Sequence, residues 1–347
     1  MTDIVIRKDG RAGRITLNRP AALNALTHDM CLALDAALTA WATDASVAVV
    51  VIDAAGDRAF CAGGDVADLY ARGSRGEHDF GRTFWRDEYR LNARIGAYPK
   101  PVVSLIHGFC MGGGVGVAGH ASHRVAAENA QIAMPECALG LVTDVGGTAL
   151  LSRAPGRLGA WLGLTGTRMG PADAIFAGFA DVHIPQAAWP DLVAALCAEG
   201  DIGVIAKAAR LPAQPTRLAG LLPQIDRAIS DTSLPHLRER LQADVSDFAA
   251  QTLKAIDRAS PLALATTLAI LERLGPTPTL PQALELEYRI TFRAQEQTDF
   301  LEGIRAMIID KDRRPSWRYP TATDVPEDAI RALLAPLGPD NLTFQET

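Results

Sequence analysis

The stretch MGGGVGVAGHASHRVAAENAQIAMPECALGLVTDVGG, residues 111–147, carries the strongest signals in the chain. Its three consecutive glycines, Gly112 to Gly114, let backbone N–H groups approach a ligand closely because no Cβ is in the way. Two carboxylates, Glu136 and Asp144, follow at short range. A second glycine-rich turn, CAGGD at residues 61–65, lies upstream. Two sets of backbone donors and a pair of acids predict an oxyanion hole beside an acid/base residue, which together would polarise a carbonyl group.

The context of the two glycine clusters supports this interpretation. Each follows a predicted buried strand, formed by the continuous apolar run at residues 47–52 and by residues 102–106, and each opens a predicted helix. A helix N-terminus offers N–H groups that have no intrahelical partner. Close packing of a helix on a strand would explain one such cluster, but two clusters in the same setting favour a functional role.

A literal match to the dinucleotide fingerprint GxGxxG occurs at residues 114–119, and Glu136 lies about twenty residues further on. That fingerprint needs its first glycine directly after the strand, whereas residues 107–113 intervene here. The sequence therefore argues against a nicotinamide cofactor.

Composition limits the function classes. The 347 residues are 48% hydrophobic and carry a net charge of −6, which argues against nucleic-acid binding because that needs clustered basic charge. The five cysteines form no CxxC pair and indicate a reducing compartment. No targeting segment, membrane span or zinc-ligand spacing is evident, so we expect a cytoplasmic protein without a membrane or metal partner.

The secondary-structure pattern changes along the chain. Strand and helix signals alternate up to about residue 186 and predict a mixed α/β core. No strand pattern follows. We therefore predict three parts: a core at 1–186, a helical insertion or linker at 187–255, and a helical C-terminal region at 256–347. Within these parts, continuous helices are expected over 234–258 and 280–309.

Each acid also has a structural interpretation. Glu136, in an apolar run, is either a functional acid with a raised pKa or a buried partner of Arg124 or Arg153. Asp144 is either a ligand contact or the N-cap of the helix that follows it. Glu88 lies in a charged helical segment whose usual interpretation is a solvated face.

Four motifs, taken in order, make the chain resemble the crotonase (enoyl-CoA hydratase/isomerase) superfamily. They are Asn18-Arg19-Pro20 with Leu23–Leu26, Ala59–Asp65, His107-Gly108 with the glycine triplet, and Met134-Pro135-Glu136. Further marks are similar to the branch that hydrolyses thioesters of the 3-hydroxyisobutyryl-CoA type. These are MGGGVG, the Asp144–Gly147 turn, the segment 84–91 around Glu88, and the segments 260–261, 287–289, 299–306, 309–312 and 315–317.

The resemblance implies an α/β fold made of a crotonase-like spiral of ββα units with a helical C-terminal region. It implies that the backbone N–H groups of Gly64 and Gly113 bind the thioester oxygen and that Glu136 is a catalytic glutamate. Asp144 matches an aspartate that meets the substrate hydroxyl. Gly116 stands where a hydratase carries a second glutamate.

These expectations combine into one hypothesis, the hydrolysis of a β-hydroxyacyl-CoA thioester, as in valine breakdown. Glu136 would act as nucleophile or general base, Asp144 would orient the 3-hydroxyl, and Glu88 would be a weaker candidate for a substrate contact. No cofactor is expected, because CoA is part of the substrate. The resemblance implies a homo-oligomer, a trimer or a dimer of trimers. The alternatives are an enoyl-CoA isomerase or hydratase, and a non-catalytic acyl-CoA-binding protein.

Overall fold

The structure, a computed structural model, describes residues 2–344 and confirms the predicted α/β class. The described chain divides into two compact units, each assembled from separate segments. The first unit comprises residues 2–64, 90–133 and 168–217 and holds every strand of the described chain. The second comprises residues 65–89, 134–167 and 218–344 and is helical.

The first unit contains two sheets. Its strands are β1 Ile4–Asp9, β2 Ala12–Leu17, β3 Val49–Ala54, β4 Ala59–Cys61, β5 Val102–Ile106, β6 Phe109–Met111, β7 His123–Ala126, β8 Gln131–Ala133 and β9 Val182–His183. The larger sheet has the order β1-β2-β3-β5-β7-β9, and the smaller has the order β4-β6-β8. Among the strands of residues 2–344, β1 and β2 pair antiparallel as a hairpin, and all other neighbouring strands in these two orders pair in parallel.

The chain order shows a repeated ββα unit. Three times in succession, one strand enters the larger sheet (β3, β5, β7) and the next enters the smaller sheet (β4, β6, β8). Helical segments follow each pair. Because the strands are parallel, their carboxyl ends point to one edge of each sheet, where ligands bind in folds of this kind.

The larger sheet is covered on one face by helices of the same unit. The helices of this unit are α1 His28–Ala42, the end of α3 His78–Gly96, α4 Gly113–Ala118, α7 Pro171–Phe176, α8 Trp189–Glu199 and α9 Gly203–Ala208. Val51 and Leu105 of the sheet share a fully buried cluster with Leu192 and Leu196 of α8. Burying side chains of this size contributes about 1.5–3 kcal/mol each, so α8 fixes this face of the sheet.

The second unit consists of helices around a separate apolar cluster. They are α2 Val66–Gly73, the first part of α3, α5 Gly147–Arg153, α6 Leu158–Thr165, α10 Leu218–Ala228, α11 Leu234–Ala243, α12 Asp247–Ile256, α13 Pro261–Leu274, α14 Leu280–Thr291, α15 Ala294–Gln297, α16 Phe300–Ile304 and α17 Glu327–Leu334. Leu262, Ile270 and Ile290 belong to its core.

Two expected long helices are interrupted, so those predictions were wrong. The segment 234–258 divides into α11 and α12 because Ser246 accepts a hydrogen bond from the Ala249 N–H at 3.2 Å and starts a new helix. The segment 280–309 divides into shorter helices. One break is at Thr298, whose hydroxyl bonds the Ala294 carbonyl at 2.7 Å.

The division of the chain into parts at residues 186 and 255 stays a prediction. The two compact units are built from discontinuous segments, so they do not test boundaries drawn along the sequence. No helix among the described residues combines the length and the apolar character needed to cross a bilayer.

The contact between the two glycine-rich loops yields a stability prediction. A Cβ added at Gly114 would lie 2.3 Å from the Cys61 carbonyl oxygen, so the backbone would have to shift. We expect Gly114→Ala to lower the free energy of unfolding by about 1–3 kcal/mol. Gly220→Ala is the matched control, because Gly220 is also helical and has open space around it. Urea unfolding should show the control unchanged or slightly stabilised; equal midpoints for both variants would contradict the close contact.

Candidate active site

Four buried carboxyl groups of the second unit form the most unusual cluster in the described chain. Glu136 begins a short 3₁₀ turn, Glu136–Leu139, and is 6% exposed. Asp144 is 5% exposed, Glu88 is 3% exposed and Glu287 is fully buried. Within residues 2–344 we find no Arg, Lys or His paired with any of the four. Buried acids without cations are rare in proteins, and they mark candidate functional sites.

Burial and mutual repulsion raise the pKa values of these groups. Burial raises the pKa of Glu136 well above its usual range, and the charge of Asp144 raises it further. The same two causes raise the pKa of Glu88. Burial raises the pKa of Asp144 to about 7, although a hydrogen bond from Tyr89 opposes the shift. The cluster therefore holds protons near neutral pH, as acid/base chemistry at that pH requires.

Glu136 has one carboxylate oxygen without a partner. Its Oε2 atom is buried and accepts no hydrogen bond from the described residues. The arginine partners proposed as a structural explanation were wrong. Arg124 pairs with Asp181 instead, and Arg153 donates to the Pro278 carbonyl at 2.6 Å. A buried, unpartnered acceptor costs about 1–3 kcal/mol, so its retention favours a functional role.

The helix α3 brings two neighbouring residues to Asp144. The solvated interpretation of Glu88 was wrong, since the side chain is buried and its Oε1 atom has no described partner. The next residue, Tyr89, is fully buried and donates its hydroxyl proton to Asp144 Oδ2 at 2.8 Å. The structure thus adds Tyr89 to the candidate site. The sequence offered little indication of this role, because a tyrosine on the buried face of a helix usually contributes only to packing.

Asp144 does not cap the helix after it, so that alternative was also wrong. The N-cap position of α5 is Gly146, and no side chain caps it from that position. Instead Glu287, from α14, accepts hydrogen bonds from the backbone N–H of Gly146 at 2.7 Å and of Thr148 at 3.0 Å, and from the Thr148 hydroxyl. Burial raises the pKa of Glu287 to about 8, while these hydrogen bonds oppose the shift.

Glu287 was missed as a functional residue, although a signal was present. It occupies the same stripe of α14 as Ala283, Leu284 and Thr291, which are all buried. An acid at helical spacing within an apolar stripe is either paired or functional. The sequence did not show which group, more than a hundred residues away, would meet it.

The two glycine-rich loops lie side by side in the first unit. β4 and β6 pair in parallel with Cys61 opposite Cys110, so the loops after them leave the same sheet edge. A Cβ built on Gly63 would lie 3.5 Å from the Met111 carbonyl oxygen. Gly64 follows in the first loop and bridges to Leu26. These contacts place the two predicted donor segments next to each other.

Backbone geometry explains why both loops need glycine. Gly63 has φ +114° and Gly112 has φ +49°, conformations that other L-residues adopt only with strain. Gly113 is the first residue of α4. Its N–H is among those that the intrahelical hydrogen-bond pattern leaves without a partner in that helix.

Two other features of the described chain, its metal-binding potential and its clefts, do not indicate a function. No group of three or more His, Cys, Asp or Glu residues within 2–344 could hold a metal ion. A cleft of about 860 Å³ in the first unit is lined by residues that include Arg14, His107 and Trp189, but by none of the predicted site residues.

Comparisons with known proteins agree with the resemblance. A family described as enoyl-CoA hydratase/isomerase matches residues 12–334. The Gallus gallus protein named "3-hydroxyisobutyryl-CoA hydrolase, mitochondrial" is 36% identical over 98% of this chain and 90% of its own length. The Homo sapiens protein of the same name is 36% identical over 99% of this chain and 91% of its own length.

Solved structures extend the comparison. A protein from Rhodobacter sphaeroides 2.4.1, described as an enoyl-CoA hydratase, is 59% identical with a TM-score of 0.94; the match covers 99% of this chain and 100% of that one. A protein from Mycobacterium thermoresistibile, described as a carnitinyl-CoA dehydratase, is 39% identical with a TM-score of 0.95, and both chains are fully covered. The predicted crotonase-like spiral is thereby confirmed.

The raised pKa of Asp144 predicts a pH-dependent stability. Burial raises this pKa from 3.8 to about 7, so between these values the folded state binds the proton more tightly than the unfolded chain. Stability is therefore lost as pH rises through this window. Asp144→Asn, which cannot ionise, should gain about 3 kcal/mol of stability relative to the parent as pH rises from 5 to 8, because about two pH units of the window lie in that range.

Thermal unfolding at several pH values measures this difference. Asp173→Asn is the control, because Asp173 is equally buried but pairs with Arg217, and its loss should lower the midpoint at pH 8. A constant difference between Asp144→Asn and the parent across the range would show that Asp144 does not titrate there.

Proposed function

This chain belongs to the enoyl-CoA hydratase/isomerase family, and we propose that it hydrolyses a β-hydroxyacyl-CoA thioester of the 3-hydroxyisobutyryl-CoA type to the hydroxy acid and free CoA. The observation that carries the proposal is the buried Glu136 carboxyl group, which has Asp144 nearby and one oxygen without a partner in the described part of the chain. The names of the relatives that are 36–38% identical over nearly the whole chain support the same reaction.

The proposal assigns the thioester oxygen to two backbone donors. The N–H groups of Gly64 and Gly113 would donate to this oxygen as negative charge develops on it. Preorganised donors stabilise such a charge because they need no reorientation during the reaction, and loss of one typically costs about 3 kcal/mol. Because these donors are backbone atoms, a side-chain substitution can affect them only by changing the conformation of the loops that carry them.

Glu136 would supply the acid/base or nucleophilic chemistry. As a nucleophile, its carboxylate would attack the thioester carbon, break the C–S bond and form a mixed anhydride, which water would then hydrolyse. As a general base, it would take a proton from water as that water attacks the same carbon. In both routes water supplies one proton to the CoA thiolate and the oxygen to the acid product.

Asp144 and Glu88 would recognise the acyl group. Asp144 would accept a hydrogen bond from the 3-hydroxyl, and Glu88 would contact the substrate from α3. Selectivity for a hydroxyl follows because a substrate without it deprives a buried carboxyl group of one hydrogen bond.

Enoyl-CoA hydration is the second candidate, favoured by the Rhodobacter sphaeroides structure that is 59% identical and described as an enoyl-CoA hydratase. Addition of water across a double bond needs two acid/base groups that hold one water molecule. Gly116 offers no carboxylate, but Glu136 and Asp144 are both acids. Isomerisation needs one base, and non-catalytic acyl-CoA binding needs none.

The remaining parts of the proposal concern the setting of the enzyme. It would work without a cofactor, as a homo-oligomer of the trimer or dimer-of-trimers type, within valine catabolism. The cytoplasmic location stays a prediction, since the named relatives are mitochondrial proteins.

One panel of substrates separates the candidate functions. We expect free CoA, detected with a thiol reagent, from 3-hydroxyisobutyryl-CoA and related β-hydroxyacyl thioesters. Loss of enoyl absorbance from a 2-enoyl-CoA without thiol release would support the hydratase instead. Saturable binding of every acyl-CoA without turnover would support a binding protein.

Replacement of Glu136 tests its chemical role. Glu136→Gln keeps the shape of the side chain but cannot act as base or nucleophile, so kcat for CoA release should fall at least about 100-fold. Glu239→Gln, on the exposed surface of α11, is the matched control and should keep the parent rate. Parent-level CoA release by Glu136→Gln would remove Glu136 from the mechanism.

A further inference from the structure

The turn that carries Asp144 has a backbone conformation that its own sequence does not favour. Val145 has φ +53° and Gly146 has φ +75°. Glycine adopts the left-handed region freely, but a β-branched residue there is strained. Such strain persists only where the surrounding structure enforces it, and it clusters at functional sites. The position of Asp144 therefore depends on contacts from outside the turn.

Glu287 provides those contacts. Its Oε2 accepts from the Gly146 N–H at 2.7 Å, and its Oε1 accepts from the Thr148 N–H at 3.0 Å and from the Thr148 hydroxyl. The acid lies 141 residues from Gly146 in the sequence and is fully buried. All three partners donate to it, so both of its oxygens serve as acceptors.

Tyr89 fixes the side chain of Asp144 itself. Its hydroxyl donates to Asp144 Oδ2 at 2.8 Å, which restrains the position of that oxygen. Glu287 thus holds the backbone on one side of Asp144, and Tyr89 holds one oxygen of its carboxyl group.

We propose that Glu287 is the positioning residue that fixes Asp144 for the 3-hydroxyl group of the substrate, so that selectivity for hydroxylated acyl groups depends on this remote acid. The inference rests on the proposed thioester hydrolysis and on the role of Asp144 in it. Glu287 itself touches the turn, and it acts on the reaction only through Asp144.

An amide at this position would break the arrangement. Glu287→Gln places an NH₂ group against one of the N–H donors, so one hydrogen bond becomes a donor–donor contact. The strained turn can then relax, and Asp144 shifts. The volume of the side chain is almost unchanged, which limits the effect on packing.

The experiment compares kcat/KM for 3-hydroxyisobutyryl-CoA with kcat/KM for isobutyryl-CoA, which lacks only the hydroxyl. In Glu287→Gln the ratio of the two values should fall at least about tenfold, because an interaction with the hydroxyl is lost. Asp144→Asn should lower the ratio similarly, and the double variant should lower it no further, because both changes remove one interaction.

The matched control is Asp173→Asn. Asp173 is also a buried carboxylate with three donors, the Thr216 hydroxyl and the N–H and Nε–H of Arg217, but it lies in the first unit. Its loss should lower stability and leave the substrate ratio at the parent value.

The outcomes separate the two proposals. If the parent releases CoA and discriminates between the substrates while Glu287→Gln discriminates equally well, the positioning role is overturned and hydrolysis stands. If the parent releases no CoA from either substrate, the proposed function fails and this inference fails with it. Additive losses in the double variant would also overturn the inference.

A second pair of variants covers the case in which Glu287→Gln does not fold. Thr148→Val removes one donor to Glu287 and keeps the shape, whereas Thr148→Ser keeps the hydroxyl. The substrate ratio should fall about threefold or more in Thr148→Val and return in Thr148→Ser. Equal ratios in these two variants would overturn the positioning role.

Discussion

The burial of four carboxyl groups, with no cation from residues 2–344 paired to them, is the constraint on which the second unit depends. Transfer of a charge out of water is costly, and a buried acid responds by raising its pKa or by collecting hydrogen bonds. Glu287 collects three of them, Asp144 receives one from Tyr89, and Glu136 keeps an oxygen unpaired. Glu88 also keeps one oxygen without a partner among the described residues, so two of the four acids share this feature, and Glu136 is the one that family resemblance marks as catalytic.

Compensation by neutral donors has a chemical consequence. An arginine beside Glu136 would lower its pKa and weaken it as a base, whereas burial and the charge of Asp144 raise that pKa. The same arrangement costs stability, since Oε2 of Glu136 makes no hydrogen bond with a described residue. At this position, the arrangement that favours activity therefore lowers the stability of the folded protein.

Backbone and side-chain groups follow different structural rules in this chain. The glycine loops follow β4 and β6, whose parallel pairing sets the two loops at one sheet edge. That placement comes from the ββα repeat and needs no particular side chain beyond glycine. The acids come from α3, α14 and the turns after β8, so their convergence depends on helix packing within the second unit.

Part of the fold could be predicted from local patterns. The apolar run at 47–52 and the mainly apolar segment 102–106 indicate buried strands over short distances, so the sequence reveals them. Failures came where local signals compete. Ser246 interrupts an otherwise continuous helical pattern, and the three-residue strands β4 and β6 are too short to show a period.

The sequence alone determined which residue types are available: the glycines that permit close backbone approach, the acids Glu136 and Asp144, and the motifs that identify the family. Only the tertiary structure decided which groups meet. In the structure Glu88 is buried, Tyr89 donates a hydrogen bond to Asp144, and Glu287 accepts one from Gly146, which is 141 residues away in the sequence. The physical reason is that hydrophobic periodicity specifies which face of a helix is buried, whereas the hydrogen-bond partner of a buried polar group depends on chain segments that no local pattern connects.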